Sequence, residues 1–133
     1  PSVREAWDRE QTVLATDACS LVNADIARTC TTFDRVEVVR TESGWVDVTW
    51  RGNLTGSALG TLDPQEMLRD VADKAQEFVT DELRRAWPTC DRHDAGLHVK
   101  MADGKATWWC GRGCHVAAEI GQLNSGGPAP ADR

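Results

Sequence analysis

Two clusters of cysteine and histidine lie close together in the last third of the 133-residue sequence. The first is Cys90-x-x-His93, and the second, sixteen residues later, is Cys110-Gly-Arg-Gly-Cys114-His115. Thiolates and imidazoles at such spacings are the ligands of small tetrahedral zinc sites, in which two tight turns supply the donors. Zn²⁺ is the expected ion, because two or three thiolates with one or two imidazoles match its preference.

The predicted zinc ligands are Cys90, His93, Cys110 and Cys114, with His115 as the alternative fourth ligand. Because Cys114 and His115 are adjacent, only one of them is expected to ligate comfortably. The softness of a thiolate and the compact Cys-x-x-x-Cys loop favour the cysteine. If both bind, or if water takes one position, the site becomes reactive instead of structural.

The alternative interpretation is that these residues bind no metal. In it the cysteines are small buried side chains and His93 is a surface residue. The five residues of the two clusters lie within 26 positions, which argues against this alternative.

Two strands are predicted between the ligand clusters, Leu97 to Met101 and Lys105 to Cys110. The turn between them, residues 102–104, contains the Asp-Gly pair that favours a tight hairpin. A third short strand, Val116 to Ile120, follows the second cluster. Because the intervening residues run out and back, the two ligand clusters return to one point. The segment is therefore predicted to be zinc-ribbon-like.

A first amphipathic helix is predicted from Ser2 to about Asn23. Ser2 is placed as its N-cap and Glu5 as the capping-box partner. Its apolar positions recur at steps of three, four and seven residues, as on one face of a helix. They are Val3, Trp7, Leu14, Ala18 and Leu21.

A second helix has the clearest start signal in the chain. Asp63 caps it, Pro64 takes the first helical position and Glu66 completes a capping box. A continuous apolar stripe then runs for about six turns and ends before Pro88, which predicts the core helix. The charged outer face is interpreted as solvated, with an acidic docking surface as the alternative.

A β-hairpin is predicted between the helices. Its strands, Thr32 to Arg40 and Gly44 to Arg51, are rich in valine, threonine and tryptophan, and residues 41–44 form a polar turn closing on glycine. A loop with a short third strand near Ser57 to Leu59 follows. Helices and antiparallel strands in separate runs indicate an α+β fold.

Three regions are predicted along the chain. Residues 1–86 form the α+β body, residues 87–123 the zinc-ribbon-like module and residues 124–133 a disordered tail. The boundary is placed at Trp87-Pro88, where the composition changes. The glycines and prolines of the tail favour disorder.

Composition narrows the functional classes. The net charge of −6, from 15 basic and 21 acidic residues, repels phosphate backbones and disfavours nucleic-acid binding. No apolar run is long enough to span a membrane, and the start of the sequence lacks the apolar core of a signal peptide, so a cytoplasmic protein is expected. Five cysteines suit a reducing compartment. A secreted origin, in which Cys19 would pair with Cys30, is the alternative.

One pattern in the last third of the chain resembles a motif of small, functionally uncharacterised actinobacterial proteins. It comprises Trp-Pro-x-Cys-x-x-His at 87–93, Gly-x-x-x-Trp-x-Cys at 104–110 and Val-Ala-x-x-Ile-Gly-x-Leu at 116–123. The resemblance implies a bacterial protein with a zinc-ribbon-like tail and implies no particular chemistry.

Two adjacent tryptophans carry the main hint of a recognition surface. Trp108 and Trp109 lie in one predicted strand, so their side chains point to opposite faces. One is expected to pack against the body while the other is exposed or covers a second surface. The alternative is that both are buried. Cys19 and Cys30 are expected to be unreactive thiols in or beside the core.

Two functional classes remain. The first is an accessory or protein-interaction protein whose zinc site is structural and closed. The second is a small hydrolase or tailoring enzyme of secondary metabolism that uses zinc-bound water, or His93, His98 or His115 with Asp91 or Asp94 as acid or base. No nucleophile elbow, phosphate loop or dinucleotide fingerprint favours the enzyme. The enzyme would be recognised by an open coordination position on the metal, beside a pocket.

Overall fold

The computed structural model describes residues 2–123 and has an α+β fold, which confirms the predicted class. The helices are α1 (Val3–Thr29) and α2 (Pro64–Leu83). The N-terminal sheet contains β1 (Glu37–Arg40), β2 (Val46–Trp50) and β3 (Asn53–Leu54), and the C-terminal sheet contains β4 (His98–Ala102), β5 (Lys105–Cys110) and β6 (His115–Glu119). The tail predicted at 124–133 lies outside the described residues.

The start of α1 forms as its sequence predicts. The Ser2 hydroxyl accepts from the backbone N–H of Glu5 at 3.1 Å, and the Glu5 carboxylate accepts from the backbone N–H of Ser2 at 2.9 Å. This reciprocal capping box satisfies two of the free donors of the first turn. The helix continues past the predicted end at Asn23 to Thr29, because Asp25 and Ile26 are buried by contacts with the rest of the molecule.

The start of α2 is also as predicted. The Asp63 side chain accepts from the N–H of Glu66 at 3.2 Å, with Pro64 in the first turn. The second half of the predicted capping box is absent, since the Glu66 carboxylate accepts from the Thr61 hydroxyl at 2.9 Å. The helix ends at Leu83, and the residue after it has a left-handed backbone.

The N-terminal sheet is antiparallel in the order β1-β2-β3, with Val38 opposite Val48. The predicted hairpin is present, although its first strand begins at Glu37 and not at Thr32. The third strand predicted near Ser57 to Leu59 lies earlier, at β3. The chain turns away after β3 because Gly56 has a positive φ of 87° and its N–H donates to the Asp47 carboxylate.

A buried ion pair connects this sheet to α2. Asp47 on β2 is fully buried and also accepts from the N–H and hydroxyl groups of Thr55. The ammonium of Lys74 on α2 lies 3.4 Å from the same carboxylate. Pairing and hydrogen bonding offset the cost of removing both charges from water.

The C-terminal sheet is antiparallel in the order β4-β5-β6. Asp103 and Gly104 both have positive φ, 52° and 78°, as a tight two-residue hairpin turn requires. All three predicted strands are present within one or two residues of their expected bounds. The register of β5 against β6 shifts between Trp108 and Trp109, which marks a β-bulge.

Residues 87–123 share a buried core with the rest of the chain. Trp108 is fully buried and meets Trp87 edge to face, with ring centroids 5.4 Å apart. The indole N–H of Trp87 donates to the hydroxyl of Thr29 on α1 at 2.9 Å. The C-terminal sheet contacts both helices, since the indole N–H of Trp108 donates to the Asp25 carboxylate on α1 and the backbone N–H of Ala106 donates to the Gln65 side chain on α2. Neither helix combines the length and apolar composition needed to cross a membrane.

Candidate metal centre

Four side chains from three segments converge at one end of the C-terminal sheet. They are Cys90 and His93 before β4, Cys110 at the end of β5 and His115 at the start of β6. One ligand atom from each lies within 4.8 Å of the other three. Cys90 and Cys110 are buried, and the two histidines are half-buried. This group can hold a metal ion.

A tight turn places the first two donors. The backbone N–H of Asp94 donates to the carbonyl of Cys90 at 3.1 Å, and the N–H of Cys90 donates to the carbonyl of Ala95 at 2.8 Å. Asp94 has a positive φ of 50°, which asparagine and aspartate tolerate better than other non-glycine residues. The turn leaves Sγ of Cys90 3.4 Å from Nδ1 of His93.

Strand pairing places the other two donors. Cys110 and His115 are directly opposite in the antiparallel register of β5 and β6, so their side chains leave the same face. The backbone N–H of Gly113, in the turn between them, donates to Sγ of Cys110 at 3.3 Å. Backbone N–H contacts to the sulfur are compatible with its role as a metal ligand.

Three of the sulfur–nitrogen separations match the edges of a tetrahedron around one ion. Sγ of Cys90 is 3.5 Å from Nε2 of His115, and Sγ of Cys110 is 3.5 Å from Nδ1 of His93. Zinc–sulfur bonds of about 2.3 Å and zinc–nitrogen bonds of about 2.0–2.1 Å at tetrahedral angles imply sulfur–nitrogen edges of about 3.5 Å. These three separations are compatible with a four-coordinate metal ion.

Each histidine of the group has a further contact, to the ring of His115 and to the backbone of His93. Nδ1 of His115 lies 3.2 Å from the carbonyl oxygen of Val116, so a proton on Nδ1 donates there and Nε2 keeps its lone pair. The guanidinium of Arg112 donates to the carbonyl oxygen of His93 at 3.3 Å. The contact of Nδ1 is of the kind that fixes the ring orientation of metal-binding histidines, whereas the Arg112 contact holds the backbone of His93.

Cys114, the predicted fourth ligand, lies outside the group, and the alternative His115 lies within it. Cys114 is exposed, has a positive φ of 52° and directs its thiol towards the carbonyl oxygen of Gly111 at 3.5 Å. Cys114 was predicted from the softness of its thiolate and the short Cys-x-x-x-Cys loop, and strand register was not used. If the strand predicted from Val116 is started one residue earlier, His115 becomes the residue that pairs with Cys110.

The other residues singled out in the sequence lie outside the group. His98 is exposed on β4 opposite Trp109. Cys19 and Cys30 are buried free thiols, and burial raises the pKa of both, that of Cys19 to about 12. Both thiols are therefore protonated and weakly nucleophilic at neutral pH.

The two adjacent tryptophans face opposite sides of the sheet. Trp108 is fully buried, whereas Trp109 is half-buried, and the Lys100 ammonium lies 3.9 Å from its ring centroid. Opposite faces agree with strand alternation, and only Trp109 is available at the surface.

Gly113 has no room for a side chain. A Cβ there would lie 2.2 Å from Cε1 of His93 and 2.7 Å from Cδ2 of His115. We expect Gly113→Ala to displace both imidazoles and weaken metal binding more than about tenfold. The measurement is competitive titration with a chromophoric zinc chelator.

Gly111→Ala is the matched control, since its Cβ would meet no atom closer than 4.0 Å. Equal affinities for the two alanine variants would contradict this role of Gly113.

Comparison with known proteins gives no assignment: no protein-family model, curated protein or solved structure matches the chain. The four convergent donors are therefore the main guide to its chemistry.

Proposed function

We propose that this protein is a zinc-stabilised accessory protein that acts through contacts with another protein, and that its metal site is structural. The convergence of Cys90, His93, Cys110 and His115 supports this proposal. Two thiolates neutralise the charge of Zn²⁺, so the complex is electrically neutral. A neutral complex suits a position where both sulfur atoms belong to buried residues.

A structural zinc site is closed by four protein ligands, whereas a catalytic site keeps one position for water or substrate. The four donors of this group can occupy all four coordination positions of a tetrahedral ion. The enzyme alternative would require one of them to leave the metal. The surrounding geometry favours the structural role, because the contacts of His115 and Cys110 described above orient both towards the ion.

Zinc would connect chain segments at an end of the sheet where many residues outside the donor group are exposed. The turn between Cys110 and His115 is largely exposed, and most of β6 faces solvent. The first turn contributes Cys90 and His93 from the other side. A metal bond across these segments replaces the apolar packing that so small a unit lacks.

Exposed apolar side chains support the interaction role. Trp109 is half-buried on the outer face of the C-terminal sheet, and Val116 beside it is 41% exposed. Aromatic residues at the surface commonly anchor protein interfaces. A second and larger apolar surface lies on α1.

The proposal is tested by metal analysis of protein purified without added metal. We expect about one zinc per chain, and we expect Co²⁺ exchanged into the site to show the intense visible bands of four-coordinate cobalt with thiolate charge transfer. Chelation should lower the melting temperature. A zinc content near zero together with a melting temperature that chelators do not change would refute the metal site. One zinc with a coordinated, exchangeable water would instead support the enzyme.

A further inference from the structure

The outer surface of α1 is unusually apolar for a helix that faces solvent. Of the seven large apolar side chains exposed among the described residues, four lie on this helix. They are Val3 at 87%, Val13 at 60%, Trp7 at 41% and Leu21 at 40% exposure. Single exposed apolar residues are common, but their concentration on one element is typical of an interaction surface.

Six residues on this surface have the spacing of a coiled-coil seam. Steps of four and three residues alternate along them, as at the a and d positions of a heptad repeat. We call this set the α1 outer stripe. Its members are Val3, Trp7, Glu10, Leu14, Asp17 and Leu21.

The stripe is anchored on the body of the protein at its centre. Leu14 is half-buried and packs against the core, whereas Trp7 and Leu21, one heptad to either side, remain exposed. The stripe therefore has a fixed position on a rigid helix. An interface on such a surface does not require ordering of the backbone on binding.

Acidic residues interrupt the apolar ones and indicate the charge of the partner. Glu10 and Asp17 are exposed, and neither forms an ion pair within residues 2–123. No basic residue lies three or four positions before or after Glu10 or Asp17, the positions that are neighbours on a helix surface. The unpaired negative charge lies where a partner helix would pack.

A second copy of the chain is a poor partner for this surface. Parallel self-association would place Glu10 and Asp17 opposite the same residues of the other copy, and like charges opposed in this way are destabilising. Antiparallel association would place the carboxylates against Trp7 and leucine side chains without a counter-charge. A partner with lysine or arginine at the corresponding positions avoids both penalties.

We infer that the α1 outer stripe binds a basic amphipathic helix of another protein, with apolar residues at heptad spacing and lysine or arginine facing Glu10 and Asp17. This inference rests on the proposed interaction role and is independent of the metal. The apolar residues provide the buried area, and the two carboxylates select a basic partner over an acidic one.

The probe is a fluorescein-labelled synthetic peptide of about three heptads, with leucine at the seam and lysine at the positions facing the carboxylates. Binding is measured by fluorescence anisotropy with the full, metal-replete chain. We expect saturable binding of this peptide. We expect at least about tenfold weaker binding of a scrambled peptide with the same composition and of a peptide with glutamate in place of lysine.

Reversing the two charges of the α1 outer stripe distinguishes binding at the stripe from general attraction of a basic peptide to an acidic protein. The double variant Glu10→Lys/Asp17→Lys should bind the basic peptide at least about tenfold more weakly and should bind the glutamate peptide instead. The control Glu42→Lys/Glu82→Lys alters the net charge equally at exposed positions on other elements and should bind the basic peptide as the wild type does.

Three results would overturn the inference: no peptide binding, equal binding of the scrambled peptide, or equal losses in both double variants. Sedimentation that shows a dimer disrupted by Glu10→Lys/Asp17→Lys would also overturn it, in favour of a second copy. Zinc content is measured on every variant, so a failure of the metal proposal is recognised separately.

Discussion

Cys110→Ser is expected to abolish stoichiometric zinc binding and to lower the melting temperature by about 10 °C or more. Cys110 is fully buried, and its sulfur lies within 3.5 Å of His93. Serine is a poor zinc ligand, and loss of the ion removes the connection between the turn at residues 90–93 and β5. We expect a loss of at least about 3 kcal/mol in the free energy of unfolding, which corresponds to such a shift in a domain of this size.

Cys114→Ser is the matched control, because Cys114 is an exposed cysteine outside the donor group, four residues from Cys110. We expect it to keep its zinc and to melt within about 2 °C of the wild type. Metal content and thermal unfolding are measured on both variants, with and without a chelator. Loss of zinc from Cys114→Ser and its retention in Cys110→Ser would exclude the ligand set derived from the structure.

Asp25→Ala is expected to destabilise the fold by about 3–5 kcal/mol without involving the metal ligands. The Asp25 carboxylate is fully buried on α1. It accepts from the indole N–H of Trp108 at 2.9 Å and from the backbone N–H groups of Gly121 and Leu123 at 2.6 and 3.0 Å. Alanine would leave these three donors without an acceptor in the protein interior, and denaturant unfolding measures the cost.

Asp25→Asn tests whether acceptor capacity causes this effect. An amide has nearly the same shape but keeps only one acceptor oxygen, and its NH₂ group would face N–H donors. We therefore expect a loss of about 2–4 kcal/mol, much closer to that of alanine than to wild type. The exposed Asp17→Asn on the same helix should change stability by less than about 0.5 kcal/mol. An Asp25→Asn variant as stable as wild type would disprove this role.

Local signals in the sequence predicted the helix starts and the hairpin turns. The Ser2 and Asp63 caps and the Asp103-Gly104 turn depend on residues within a few positions of one another, so the sequence contains the whole interaction. The end of α1 was predicted six residues too early. In the sequence, Asp25 is a polar residue with no local reason to be buried. It lies on the buried face of α1 because its carboxylate accepts from N–H groups that are distant in the sequence.

The third strand of the N-terminal sheet was misplaced for a similar reason. A Gly- and Ser-rich stretch with two leucines is compatible with a strand at either leucine. The strand contains Leu54, because the chain after it bends to bring Thr55 and Gly56 to the Asp47 carboxylate. Leu59 is instead a buried loop residue whose N–H donates to the carbonyl of Val46.

The meeting of the two cysteine and histidine clusters was predictable from the sequence alone, because an Asp-Gly turn between two strands returns the chain to its starting point. Three predicted ligands, Cys90, His93 and Cys110, belong to the group on that basis. The choice between Cys114 and His115 could not be predicted from the sequence, and the folded chain brings His115 rather than Cys114 beside the other three. Both have suitable donor atoms, but Cys114 lies in the turn before β6, with a positive φ and its thiol towards the carbonyl oxygen of Gly111. The register that places His115 opposite Cys110 is a long-range property of the folded sheet.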